Sequence, residues 1–146
     1  MTLLERYVAG ERVAVWDELV ALGAAVRDEP IWSEARAVAR ETMQRARRNI
    51  DRLVGKLHAV GYSFRLPSTF EAAGSTPARD AAARVREAER LVGGPLPLSL
   101  AAFYEEVGSV CLAGTHPGWR SEYIDRDPGG SIRLMAYKDP LWIPGA

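Results

Sequence analysis

The stretch from Ile31 to Val60 most restricts what this chain can become. Apolar or small residues recur at Ala35, Val38, Thr42, Ala46, Ile50, Leu53, Leu57 and Val60. Steps of three and four gather them on one stripe of a helix. Asp28-Glu29-Pro30 precedes the pattern, where proline suits a helical first turn and acids favour its positive end. Gly61 follows it, as a left-handed cap would. The predicted helix is about 45 Å long, and its stripe has to be covered.

Part of the cover comes from the residues before it. Leu4, Val8, Val15, Leu19, Leu22 and Val26 form a second stripe, with Trp16 beside it in the expected core. Gly10 sits inside this pattern at a cost of about 1 kcal/mol against Ala, so the first turns are expected to fray or bend there. Two amphipathic helices with a short connection predict an antiparallel hairpin over 1–66. A pair of helices is too thin to bury both stripes, so it must pack on the rest of the chain or on another chain.

Residues 67–82 are rich in Pro, Ser, Thr, Gly and Ala and read as a linker. A different grammar follows in 83–146. Two short helices are predicted, Ala83 to Val92 and one capped by Ser99. Their inward residues are Val85, Ala88, Leu91 and Val92, then Leu100, Phe103, Tyr104 and Val107. Gly93-Gly94-Pro95 and Gly108 end them. Strand-like SVCLAG, SIRLMAY and PLWI come next, with turn chemistry at HPGW and at DPGG, residues 127–130. The predicted fold class is α+β: an antiparallel helical hairpin packed on a small domain of two helices and an antiparallel sheet.

At 146 residues this is one domain, or a small domain with a helical extension. Nineteen basic and nineteen acidic side chains cancel, so no global field draws nucleic acid or an anionic membrane. The opening residues meet Glu5 and Arg6 too early for a secretory apolar region. No window approaches the roughly 20 apolar residues of a membrane span. One cysteine, Cys111, fits a reducing compartment. The expected address is the cytoplasm, with no membrane partner.

Cys111 and His116 are the one candidate pair for nucleophilic chemistry. A thiol hydrolase needs the imidazole on the thiol and a third group to orient the ring. Nothing nearby in sequence activates the thiol, and a small buried thiol is the plainer reading. One Cys with His116, and His58 far off on the long helix, falls short of a zinc ligand set. Glu105 and Glu106 are adjacent on a helix and point apart. The VGGPLP segment lacks phosphate-loop spacing. No enzyme, no metal and no cofactor is therefore expected.

Two surfaces remain. Residues 40–56 hold six basic side chains against Glu41 and Asp51, and Arg45, Arg48, Arg52 and Lys56 share a helix face that could track phosphates. A solvated face, with Glu41 pairing Arg45 at i, i+4, is the competing reading. The second surface is aromatic. Trp119, Tyr123 and Trp142 stand beside turns or near the last residues, where exposed aromatic rings supply binding energy.

The segments EAERLVGGPLPLSLAAFYEEVGSVCLAG (87–114) and DPLWI (139–143) resemble the SUKH superfamily of fungal cell-wall synthesis regulators and bacterial toxin-immunity proteins. Glu87, Leu96, Pro97, Phe103 and Gly108 occupy matching places. The THPGW turn and the N-terminal hairpin look like a bacterial subgroup. The resemblance implies a non-catalytic protein-binding module, with a toxin as the expected partner and His116, Trp119, Tyr123, Asp127 and Trp142 as expected contact residues. It also implies further strands after Asp139-Pro140-Leu141. The chain is thus expected to be a fragment, to have a smaller sheet, or to be completed by an outside strand. A homodimer through the helices or the sheet edge is expected. The runner-up is a nucleic-acid-associated protein using the Arg45 to Lys56 face.

Overall fold

In the computed structural model of the chain, residues 1–66, 68, 70 and 72–118 are described, together with the backbone of strands 121–126, 132–137 and 142–143. The fold is mixed α+β with a helical N-terminal region. Helix α3, Ile31–Ala59, is its spine. Its end closes in the way Gly61 predicted. Gly61 has φ +85°, its N–H donates to the His58 carbonyl, and the Tyr62 N–H reaches back to Leu57. Together these satisfy carbonyls that a helix end would leave orphaned. At the other end the Glu29 carboxylate accepts the Ser33 N–H and hydroxyl.

The first predicted helix is two. Gly10, at φ +121°, separates α1, Leu3–Ala9, from α2, Arg12–Ala21, and a 3-10 turn at Gly23–Arg27 leads toward α3. Thr2 and Glu5 form a reciprocal capping box on α1. The corner at Gly10 is clamped by Arg6, which binds Glu11 at 3.1 Å and Glu18 at 2.7 Å. The two α1–α2 segments therefore do not share one helical phase. Val8 is exposed and Tyr7 buried in its place.

Tyr7, Val15, Leu19, Ala35 and Val38 make the first core cluster, flanked by Leu3, Leu4, Trp16, Leu22, Val26 and Leu98. Polar ties hold the helices in register: Glu34 accepts the Leu3 N–H at 2.7 Å, and the Trp16 indole donates to Thr42 Oγ1 at 3.2 Å.

The second half of α3 covers a different cluster. Val107, Val110 and Leu112 pack against Met43, Ala46, Ile50, Val54, Leu57, Phe64 and Phe103. Val54 replaces the expected Leu53, which is 41% exposed, and Val60 also faces out. A straight helix at 3.6 residues per turn drifts away from a fixed three-four count over this length.

Helix α4 spans Ala81–Val92 and α5 spans Leu98–Glu106. Only the first turns of α4 are covered: Ala81 and Val85 are buried, while Leu91 and Val92 are 70% and 68% exposed rather than inward. In α5, Ala102 is buried and Leu100 is exposed. The cap of α5 is Pro97, not Ser99, since a proline with φ −50° already starts the turn.

Strand β1, Ser63–Phe64, pairs antiparallel with β4, Gly114–Thr115. Strand β2, Gly74–Thr76, lies within the segment expected as a linker and pairs with β3, Ser109–Cys111. On the other side of β3 runs β7, Trp142–Ile143, giving the order β2-β3-β7. Strands β5, Ser121–Arg126, and β6, Ile132–Tyr137, form an antiparallel pair whose last matched residues are Arg126 and Ile132. The DPGG turn between them lies outside the described residues.

Candidate functional site

Cys111 and His116 do not form a reactive pair. Cys111 is fully buried on the central strand β3, between Val110 and Leu112, which are also buried. Strand alternation places Val110 and Leu112 opposite Cys111, so both faces of β3 are covered. His116 lies just past β4, and its two ring nitrogens are engaged elsewhere. Nδ1 accepts the Gly118 N–H at 3.0 Å, which leaves the proton on Nε2 to donate to the Val60 carbonyl at 2.7 Å. The ring thus ties the end of α3 to the turn after β4. One measurement checks this: Cys111 is expected to resist a thiol reagent in the native protein and to react fully in urea.

Of the other expected contact residues, Trp119 and Asp127 lie outside the described residues. Tyr123 is placed by its backbone opposite Met135 in the β5–β6 pair, and Trp142 opposite Cys111 at the edge of the three-stranded sheet. Among the described residues, no group of three His, Cys, Asp or Glu side chains could hold a metal ion. Nor is any described helix long and apolar enough to cross a membrane.

The basic face of α3 is real as geometry. Arg45, Arg48, Asn49 and Arg52 border a shallow depression of about 140 Å³, and Lys56 continues the face one turn on. Glu41 pairs with Arg48 at 2.8 Å, two turns away, rather than with Arg45. Among the described residues, Arg45, Arg52 and Lys56 have no ion pair.

A larger feature lies on the other side of the same helix. Helix α5 packs against both α3 and α4, and the two flanking helices rise as walls of a groove of about 230 Å³. Trp32, Arg36 and Arg40 line the α3 wall, a spacing of i, i+4 and i+8 that stacks them on one face. Val85, Arg86 and Glu89 line the α4 wall; Leu98, Ala101, Ala102 and Glu105 make the floor.

The charges in this groove are unevenly committed. Arg40 binds Glu106 at 3.0 Å, and the other Glu106 oxygen accepts from Gln44. Glu89 accepts the Leu96 N–H at 3.1 Å. Glu87, next to Arg86 in sequence, is taken by Arg90, whose guanidinium hydrogen bonds hold that carboxyl below its ordinary pKa. Arg36 and Arg86 have no ion pair or side-chain hydrogen bond among the described residues. At the far end, Arg27 stacks over Trp32 at 5.3 Å and donates to the Leu96 carbonyl at 3.3 Å. Sequence reasoning passed over Trp32, Arg36 and Arg86.

Comparison with known proteins adds nothing to this. No family model matches the chain, and no curated protein or solved structure does either.

Proposed function

We propose that this protein is a non-catalytic protein-binding module. The observation that carries the reading is the groove on α5: an indole held at one end, a floor of Leu98, Ala101 and Ala102 with Glu105 at its edge, and two guanidinium groups without an ion pair among the described residues. Binding hot spots concentrate in tryptophan and arginine set around apolar pockets. The groove is smaller than the roughly 300 Å³ at which drug-sized ligand sites begin, so it suits side chains of a partner better than a cofactor. The engagement of Cys111 in the core and of His116 with the backbone supports the absence of thiol chemistry.

The finer form of the proposal is a toxin-neutralising immunity protein of the SUKH type, acting in the cytoplasm. Its support is the resemblance of 87–114, together with the order α4, Gly93 to Pro97, α5, Gly108 and β3. Self-association through the edge strand β7 belongs to the same proposal, and a monomer by light scattering at high concentration removes it. The test of the immunity role is sequencing of the neighbouring genes for a toxin-like one and co-expression with its product; the lack of such a neighbour removes the immunity role. Rescue of growth and co-purification are expected; failure of both removes the immunity role.

A second reading has its own observation, the aligned face of Arg45, Arg48, Arg52 and Lys56. As a nucleic-acid contact, it predicts a gel-shift affinity falling with salt at a logarithmic slope of about −3 to −4 for four phosphate contacts. The triple substitution Arg45→Ala, Arg48→Ala, Arg52→Ala would abolish it. A salt-independent titration eliminates this reading.

A further inference from the structure

The groove also constrains what kind of segment it takes, on the footing that the protein-binding reading holds. We propose that it receives a short extended segment of the partner carrying a carboxylate beside an apolar side chain. The carboxylate meets Arg36 and Arg86; the apolar side chain covers Trp32 and Leu98.

Arg36 is the middle of three residues on the α3 wall, and Arg86 lies mid-way along the α4 wall between Ala82 and Glu89. Arg40 is already neutralised by Glu106. The free positive charge is therefore central, and a guanidinium fork matches the two oxygens of a carboxylate.

The acids of the lining set the limits. Glu89 marks the Leu96 end through its bond to that amide, and Glu105 lies at the Arg40 end beside Glu106. An occupant with negative charge spread along its length would meet a carboxylate at each end. One carboxylate at the centre would not. This disfavours a phosphate backbone here and favours a single acidic side chain among apolar ones.

The apolar part follows from the floor. Ala101 and Ala102 are small, and Val85, Leu96 and Leu98 surround them, so a side chain can settle beside the edge of Trp32. Arg27 stacked on that ring restrains its orientation before anything binds, which lowers the ordering cost of association.

The experiment uses the full chain and a fluorescein-labelled random copolymer of Ala, Tyr and Glu in which Glu is the sparse component, so that each carboxylate stands alone among uncharged side chains, read by anisotropy. Poly-glutamate and oligothymidylate serve as the comparison probes. The copolymer is expected to bind more tightly than poly-glutamate. The double variant Arg36→Glu, Arg86→Glu is expected to weaken it by at least about tenfold. Arg45→Glu with Arg52→Glu is expected to change it by less than about twofold. Ala101→Leu fills the floor without altering charge and is expected to block the copolymer with unchanged far-UV circular dichroism.

No copolymer binding up to about 1 mM overturns the inference. So does binding that survives both Arg36→Glu, Arg86→Glu and Ala101→Leu. If the copolymer is lost only with Arg45→Glu, Arg52→Glu, the groove assignment falls while protein binding stands. If oligothymidylate alone binds and that variant abolishes it, the protein-binding reading falls as well.

Discussion

Gly108→Ala is expected to destabilise the protein by about 3 kcal/mol, the sum of backbone strain and overpacking at one position. Gly108 has φ +69° where α5 gives way to β3. A methyl group there would collide with the Thr76 carbonyl oxygen and the Pro77 backbone, which lie alongside it where Thr76 and Gly108 form a bridge. Backbone cannot swing aside as a flexible side chain can, so β2 would have to move off β3. Gly93→Ala is the control. Gly93 has φ +73° at the end of α4, yet nothing lies within 4 Å of its missing methyl. It carries the strain of the left-handed conformation without the collision, about 1 kcal/mol. Urea unfolding of both variants separates the two contributions, with equal m-values showing that only stability has changed. Equal losses for the two glycines would mean that β2 does not press on Gly108.

The same contrast explains how much was legible beforehand. Sequence signals that act within one turn were readable. Gly10, Gly61, Gly93 and Gly108 all adopt positive φ at the breaks their positions announced. The long helix between Pro30 and Gly61 follows from local periodicity in the same way. Residues whose burial depends on a distant partner were harder. Leu91 and Val92 look inward by spacing, but no described element covers the last turn of α4. Strands β1 and β2 are two and three residues long, too short for alternation to register. The Cys111 thiol was readable as a core group. The bond from His116 to Val60 was not, because 56 residues separate them. The groove was invisible for a related reason. Trp32 and Arg36 share a helix face by spacing, as do Arg86 and Glu89, but nothing local says that both faces meet over α5.

Val38→Ala and Val110→Ala are each expected to cost about 2 kcal/mol and to shift one and the same unfolding transition. Val38 is fully buried in the cluster built by α1, α2 and the first half of α3; Val110 is buried in the cluster under the second half of α3. The chain could be divided as a hairpin of 1–66 and a separate unit of 83–146, and two transitions would then appear. Physical continuity argues otherwise. Helix α3 contributes Ala35 and Val38 to one cluster and Ala46, Ile50, Val54 and Leu57 to the other without a break in its hydrogen bonding. Unfolding the second cluster strips half the helix, and the rest then loses the cooperative support of its neighbouring turns. Leu98, at the start of α5, packs against the first cluster, while Phe103 on the same helix packs against the second. Two helices thus cross the boundary that a two-unit chain would need. Far-UV circular dichroism and tryptophan emission should give coincident urea curves for the parent and both variants. A Val38→Ala curve in which one probe shifts and the other stays would show that the helical N-terminal region melts on its own.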